Sequence, residues 1–249
     1  MTGAAVGLFL AVLAGSLLQR VSGMGLGLIA GPVVSILLGP VEGILLVNVL
    51  AAVNATLTAI TVRKNVDWNK FVSIAPYLAV GAIPGAILIR HSPADLLLVI
   101  VGVLLLIALS VVTLGKRHVP EVNGRVPAAL SGVIGGFMNT LAGVAGPAIT
   151  VYAQAARWEQ RVYAATLQPI FVVSGLVSFG IKEFTGAADV TSISPELWVA
   201  GFTAMVLGIF LGVQVAPHVP SGKARGMALG LAILGGATAL VSGAAGLIG

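Results

Sequence analysis

One uncharged stretch, residues 126–156, decides how this chain folds, and it reads VPAALSGVIGGFMNTLAGVAGPAITVYAQAA. The stretch is too long for one ordinary membrane crossing and too short for two crossings of about 20 residues each. Its centre, NTLAGVAGP at residues 139–147, contains the glycine, asparagine and proline that interrupt helices. The stretch is therefore either one long interrupted helix that crosses once, or a pair of short helices that enters the bilayer and returns.

A counterpart lies at the start of the chain, in residues 1–41, with QRVSGMGLG at residues 19–27 as its centre. An offset of 120 positions pairs Gly23 with Gly143, Gln19 with Asn139, Asn48 with Gln168, and Asn54 with Ser174. Farther on, an offset of 127 pairs Gly81-x3-Gly85 and His91-x-Pro93 with Gly208-x3-Gly212 and His218-x-Pro220. These matches predict a duplicated chain, with a first transmembrane repeat over residues 1–118 and a second over 119–249.

The whole composition is that of a membrane protein. Hydrophobic residues make up 58% and charged residues 8% of the chain, whereas ordinary globular domains have about 45–50% and about 25%. Six uncharged intervals each approach the roughly 20 residues that a membrane-spanning helix needs. They are 43–62, 71–89, 96–115, 162–181, 197–222 and 226–249. We predict an all-α polytopic membrane protein, and we expect residues 1–15, which lack a basic start, to be retained rather than cleaved.

Composition also excludes several classes of function. The 13 lysine and arginine residues exceed the 8 aspartate and glutamate residues, but the excess lies in loops, as is normal in membrane proteins, so nucleic acid is not an expected partner. The chain has no cysteine, and therefore no thiolate nucleophile or Cys-ligated metal. No catalytic triad or metal cage is visible, so we expect neither an enzyme nor a cofactor. The partner that composition itself implies is the lipid bilayer.

The distribution of basic residues distinguishes two topologies, because these residues collect on the cytoplasmic side of a membrane. If every segment crosses once, the two faces receive seven and five basic residues, which is no bias. If each half is a re-entrant hairpin followed by three crossings, ten share one face, and only Arg90 and Lys182 lie opposite. The ten are Arg63, Lys64, Lys70, Lys116, Arg117, Arg125, Arg157, Arg161, Lys223 and Arg225. We therefore predict hairpins and, since each half makes three crossings, inverted repeats.

The two glycine-rich breaks form the predicted binding site. Glycine lets bare amides approach a ligand, and a half-helix that begins after a break directs unpaired N–H groups and the positive end of its dipole at the cavity, which suits an anion. The alternative for each single glycine is close helix packing. The site residues selected from the breaks are Ser22, Gly23, Gly25, Gly27, Asn139, Gly143 and Gly146.

Five further residues complete the predicted site. Asn48, Asn54, Gln168 and Ser174 are uncharged polar residues inside otherwise apolar spans, where they either contact the substrate or link helices. Arg20 is the cation next to the first break. Its guanidinium either binds an oxyanion or extends to the lipid headgroups.

The chain has a glycine-rich break near the N-terminus, followed by Pro32 and a Leu-Gly-Pro turn at residues 38–40, and a second such break after a basic central loop. In this pattern it resembles the TauE/SafE sulfite-exporter family. The resemblance covers essentially the whole chain. Leu26 and Ala145 interrupt the family's usual run of adjacent glycines. The resemblance implies secondary transport of a small sulfur-containing anion, such as sulfite or a sulfonate, coupled to the membrane potential or to protons.

The expected function is therefore an anion transporter of the cytoplasmic membrane that works by alternating access, with the anion held at the two breaks. Two other functions stay open. One is a channel-like anion pore, and the other is a membrane subunit that scaffolds a partner without transporting. A membrane-embedded enzyme is the weakest option, because the spans contain no suitable acid, base or metal ligands.

Overall fold

The computed structural model describes residues 3–114 and 121–248, and within these ranges it contains ten α-helices and no strand. The helices are α1 (Gly3–Ser22), α2 (Leu26–Leu38), α3 (Pro40–Val62), α4 (Trp68–His91), α5 (Ala94–Leu114), α6 (Arg125–Ala142), α7 (Gly146–Ala155), α8 (Gln160–Thr185), α9 (Pro195–Val215) and α10 (Ser221–Ile248). Short 3₁₀ turns follow α3 at Arg63–Asn65 and precede α9 at Val190–Ser192. The predicted repeat boundary between residues 118 and 119, and with it Lys116 and Arg117, lies outside the described residues.

Among the described residues, six helices are long and apolar enough to cross a membrane, namely α1, α3, α4, α8, α9 and α10. The prediction of an all-α polytopic membrane protein is confirmed. Five of the six uncharged intervals coincide with these helices, and the interval 96–115 falls on α5, whose described apolar part is shorter. The sixth long helix is α1, which the interval argument did not select because Arg20 stands near its end.

The first break divides residues 3–38 into two helices that fold back on each other. A Cβ atom placed on Gly15 of α1 would lie 2.8 Å from the Cα atom of Leu26 at the start of α2, and one placed on Gly7 would lie 2.6 Å from the side chain of Leu37 near the end of α2. The arms are unequal, because α1 has 20 residues and α2 has 13. The structure thus adopts the paired-helix alternative for this segment and not the single crossing.

The stretch 126–156 also forms a hairpin. A Cβ atom placed on Gly135 of α6 would lie 3.5 Å from the side chain of Ile149 in α7. Farther from the tip, the hydroxyl of Tyr152 donates to the carbonyl oxygen of Gly124 at 3.3 Å. Here too the second arm is the shorter, with 18 residues in α6 and 10 in α7.

A contact that the first half makes with the second recurs, at the repeat-related positions, as a contact that the second half makes with the first. Gly81 of α4 contacts the carbonyl oxygen of Val133 in α6, and Gly208 of α9 packs against the carbonyl oxygen of Leu13 in α1. Gly208 is the repeat counterpart of Gly81 at the offset of 127, and Leu13 is the counterpart of Val133 at the offset of 120. The second contact is therefore the first one with the two halves exchanged. The last helices of the halves, α5 and α10, pack antiparallel, since Gly102 lies against Gly236 whereas Asp95 lies against Gly246.

Basic side chains converge on one end of the helix bundle, which we call the basic end. The guanidinium of Arg20 donates to Thr61 at the end of α3, and the ammonium of Lys70 lies 5.4 Å from the ring centre of Trp158 between α7 and α8. Arg225 of α10 shares a small cavity with Gln154, Trp158 and Gln160. At the opposite end, Val41, Ile89, Leu97, Ile181 and Ala187 form one hydrophobic cluster.

One basic residue differs from the expectation that the basic residues lie in loops. The charge pattern puts Lys182 on the face opposite the basic end, with Arg90, and Lys182 does lie at that end of α8, three residues before the helix ends. Its side chain, however, is completely buried within the protein. The sequence does not show this burial, because a single lysine at the end of an apolar run looks the same whether it faces the solvent or the helix bundle.

Candidate functional site

The first break is a tight turn at Gly23, between α1 and α2. Gly23 has a φ of +86°, in the left-handed region where residues with a side chain are strained. Its amide donates to the carbonyl oxygen of Gln19 at 2.8 Å, and the hydroxyl of Ser22 bonds the carbonyl oxygens of Leu18 and Met24, each at 2.7 Å. The hydroxyl of Ser22 thus stabilises the turn itself.

The second break has the same design at Gly143. Its φ is +70°, and its amide donates to the carbonyl oxygen of Asn139 at 2.9 Å. Pro147 occupies the first turn of α7, where proline is tolerated because that turn lacks intrahelical acceptors for its amides. Both breaks therefore end one helix with a left-handed glycine and start a new helix after two residues.

The two breaks touch in the interior of the protein. Gly27 of α2 contacts the carbonyl oxygen of Gly143, and a Cβ atom on Gly31 would lie 2.7 Å from the carbonyl oxygen of Ala142. Beside this contact is a cavity of about 40 Å³. Its lining residues are Gln19, Met24, Gly25, Gly27, Leu28, Ala51, Asn139, Gly143, Val144, Ala145, Gly146, Phe171 and Gly175. None of the lining side chains is charged.

The first hairpin brings unpaired donors to the residues that line this cavity. The side-chain oxygen of Gln19 accepts from the amide of Leu26 at 3.1 Å, which orients the side chain and leaves Nε2 as the free end. That Nε2 atom is buried and has no hydrogen-bond partner among the described residues. The amides of Gly27 and Leu28, at the start of α2, likewise find no acceptor in the described chain. No side chain caps this helix.

The second hairpin presents the N-terminus of α7 to the same cavity. The residues Val144, Ala145 and Gly146 line it, and their amides find no protein acceptor in the described ranges. No side chain caps α7. Two helix N-termini therefore meet at one cavity, each with its dipole positive end and its unsatisfied N–H groups. This arrangement has the chemistry of an anion-binding site.

Five of the predicted site residues line the cavity, namely Gly25, Gly27, Asn139, Gly143 and Gly146. The side-chain nitrogen of Asn139 is within hydrogen-bond distance of three acceptors, the Oδ1 of Asn48 at 3.3 Å, the carbonyl oxygen of Ser174 at 3.1 Å and the hydroxyl of Ser178 at 3.0 Å. The structure thus brings Asn48 and Ser174 to the site through Asn139. The Nδ2 of Asn48 and the hydroxyl of Ser174 are buried and have no partner in the described chain.

The other predicted residues lie outside the cavity lining. The Nε2 of Gln168 donates to the carbonyl oxygen of Gly23 at 3.2 Å, so it attaches the first turn to α8. Asn54 is completely buried on α3, and neither polar atom of its side chain has a partner among the described residues. The guanidinium of Arg20 donates to the hydroxyl of Thr61 at 3.0 Å, toward the basic end and away from the cavity.

The predicted set omitted eight of the thirteen lining residues, and among these Gln19 and Phe171 bring an amide group and an aromatic ring to the cavity. A signal for Gln19 was present, because it stands at the offset of 120 from Asn139. Phe171 stands at the same offset from Ala51, another lining residue, but an apolar pair within apolar helices carries no signal of its own. Its ring lies 3.4 Å from a Cβ placed on Gly146.

Comparisons with known proteins give the family. Neither a curated protein nor a solved structure matches the chain significantly. A family model described as sulfite exporter TauE/SafE matches residues 8–239, which include both breaks and every residue that lines the cavity. Because that match extends over nearly all of the 249 residues, the chain belongs to the sulfite exporter TauE/SafE family.

Proposed function

We propose that this protein is a secondary transporter that moves a small sulfur-containing anion, such as sulfite, across the cytoplasmic membrane. One observation carries the proposal. Two uncapped helix N-termini and the unpaired Nε2 of Gln19 surround one cavity that is lined by no charged side chain. Neutral donors of this kind bind an anion while leaving it free to move on, because no fixed countercharge holds it.

The size of the cavity favours a compact substrate. Each buried water needs about 10–15 Å³ of comparable space, so the cavity of about 40 Å³ has room for roughly three water-sized groups. Sulfite, with four non-hydrogen atoms, matches this volume more closely than an extended sulfonate does. We therefore expect sulfite to bind more tightly than 2-aminoethanesulfonate.

Alternating access follows from the arrangement of the halves. The exchanged contacts and the antiparallel packing of α5 against α10 support two inverted repeats, with residues 1–118 in one and 119–249 in the other. The hairpin tips meet backbone to backbone at Gly27 and Gly143. Rocking one repeat against the other would open the cavity first to one side and then to the other.

The test uses Gln19→Glu in purified protein. The glutamate keeps an oxygen that accepts from the amide of Leu26, but it replaces the free N–H donor with a negative oxygen. A hydrogen bond to a charged group contributes about 1.5–3 kcal/mol, so we expect the sulfite dissociation constant to rise about tenfold or more. Sulfite-dependent thermal stabilisation and sulfite flux into liposomes both measure this change.

Gln214→Glu is the matched control, because Gln214 is exposed on α9 and does not line the cavity. It should leave sulfite binding unchanged. Equal sulfite affinity in wild-type protein and Gln19→Glu would contradict the proposed site. Flux that neither saturates nor shows counterflow would replace the transporter with a channel-like pore, and absence of flux in the purified protein would favour a scaffold.

A further inference from the structure

Helix α8 carries a buried polar stripe that extends away from the cavity. Ser174, Ser178 and Lys182 follow each other at intervals of four residues, so they lie on one face of the helix. All three are buried, with 1%, 0% and 0% of their surface exposed. The stripe begins beside the cavity, because Asn139 donates to the carbonyl oxygen of Ser174 and to the hydroxyl of Ser178. It extends about 12 Å along α8 from Ser174 to Lys182.

The last member of the stripe, Lys182, has an isolated amine. The Nζ atom of Lys182 is buried and has no hydrogen-bond partner among the described residues, and the ion pair found in those residues joins Lys70 to Asp67 instead. Burying an unpaired ammonium is expensive, even within a membrane protein. Replacement of such a group by an apolar residue of similar size is often stabilising.

Three carboxylates at this end of the bundle have other contacts and form no ion pair with Lys182. Glu183, the next residue along α8, accepts from the amide of Val190 at 2.6 Å. Asp95 packs its carboxylate against Gly246 of α10, and Glu42 places an oxygen 3.4 Å from a Cβ on Gly39. No ion pair to Lys182 is formed within the described ranges. The ammonium therefore lacks a negative partner that the described chain could provide.

The offset of 120 places a second stripe on α3. Ser174, Ser178 and Lys182 correspond to Asn54, Thr58 and Val62, and both Asn54 and Thr58 are buried. This stripe extends toward the basic end, where the guanidinium of Arg20 donates to Thr61. Each stripe thus leads from the middle of a long helix toward a cation, Arg20 at the basic end and Lys182 at the opposite end.

We propose that Lys182 is a second anion-binding station, at which the transported oxyanion contacts the ammonium after it leaves the glycine breaks for the side opposite the basic end. The two serine positions of the stripe connect this station with the cavity. The inference rests on the proposed function, because it assigns to the same anion the next contact on its path.

The experiment compares Lys182→Met with Lys182→Arg and wild-type protein. The methionine fills a similar volume without a charge, so the thermal midpoint without anion should stay the same or rise. Sulfite-dependent stabilisation should fall, with the dissociation constant raised about tenfold, and saturable flux into liposomes should be largely lost. Lys182→Arg keeps the positive charge and should retain most of the affinity. Lys223→Met, on the exposed start of α10, makes the same change elsewhere and should behave as wild type.

The outcomes separate this inference from the proposed function. If wild-type protein is stabilised by sulfite and Lys182→Met is stabilised equally, with equal flux, the second station is wrong and the cavity site stands. A midpoint that falls in Lys182→Met without sulfite, together with an unchanged dissociation constant, shows a purely structural lysine and also overturns the inference. A wild-type protein that no tested sulfur oxyanion stabilises overturns the proposed function itself.

Discussion

Gly27 of α2 lies so close to the carbonyl oxygen of Gly143 that no side chain fits between the two hairpins. The contact is made by backbone alone, so the two hairpin tips can meet only because Gly27 has no Cβ atom. The same cannot be said of every glycine in this chain, since Gly180 on α8 has nothing within 4 Å of an added Cβ.

Gly27→Ala is expected to destabilise the protein by about 1–3 kcal/mol, because the new methyl group forces the backbone of the second break away. Gly180→Ala is the control. It should be neutral or stabilising, since it only raises helix propensity by about 0.5–1 kcal/mol. Thermal midpoints of the two variants, measured in the same detergent, provide the comparison. Equal midpoints would show that the hairpin tips are not packed as the structure has them.

Gln19 and Asn139, which stand at equivalent positions of the two halves, have different partners. Gln19 keeps a free donor at the cavity, whereas the side-chain nitrogen of Asn139 is held by α3 and α8. We infer that Gln19 contacts the anion directly and that Asn139 positions the second hairpin. The duplicated sequence predicts equal roles, and only the partners distinguish them.

At the scale of elements, the short helices are decisive. With 13 and 10 residues, α2 and α7 end well before they could cross a bilayer. Their N-termini consequently lie inside the protein, where unpaired amides are costly unless a ligand or water occupies them. The long helices need no such arrangement and begin instead at the ends of the bundle.

Helix α4 shows how a crossing helix begins. Asp67 precedes it and accepts from the amides of Asn69 and Lys70, each at 3.1 Å. Asp67→Ala should therefore cost about 1 kcal/mol, or a thermal midpoint lower by about 2–4 °C. Asp67→Asn keeps a capping oxygen and should lose less. An alanine variant as stable as wild-type protein would show that this cap contributes nothing to stability.

The contribution of Asp67 also depends on pH. A hydrogen bond from the side chain of Lys70, together with the two amides, holds the pKa of Asp67 below its ordinary value of 3.8. A carboxyl group with a lowered pKa stabilises the folded protein fully above the ordinary value, and the contribution disappears as the pH falls through the lowered pKa. The difference in midpoint between wild-type protein and Asp67→Asn should thus be constant near neutral pH and shrink below about pH 4.

At the scale of the whole molecule, the inverted arrangement predicts which surface each repeat-related pair faces. The chain has no native cysteine, so a single introduced cysteine reports one position. Lys64 and Phe184 are related by the offset of 120, His91 and His218 by the offset of 127, and all four are exposed. In intact cells, an impermeant maleimide should label Phe184→Cys and His91→Cys. Lys64→Cys and His218→Cys should react only after the cells are opened.

Like-oriented halves would give a different pattern, with both members of each pair labelled from the same side. That result would contradict inverted repeats and the alternating-access mechanism together. Membrane insertion of each variant is checked by labelling after detergent solubilisation, in which all four cysteines should react.

Much of the fold could be read from the chain because it depends on local properties. Apolar runs of about 20 residues predict crossing helices, and Gly23 and Gly143 predict interruptions, since a left-handed turn favours glycine. The basic residues indicated re-entrant hairpins; the structure packs α1 against α2 and α6 against α7, and the re-entrant topology stays a prediction. Of the predicted site residues, those at the backbone breaks, such as Gly27 and Gly146, line the cavity, and their role in binding stays a prediction. The predicted set included Arg20 and Asn54, which lie away from the cavity, because polarity within a span does not reveal direction.

Sequence by itself therefore determined the membrane environment, the helices, the two breaks and the family, since each depends on residues close together along the chain. Tertiary structure alone decided that the breaks touch, that Gln19 has a free donor there, and that Lys182 is buried without a partner. These properties depend on which helix face meets which neighbour. Packing settles that choice between segments more than a hundred residues apart, and a mostly apolar helix, alike on every side, does not encode it locally.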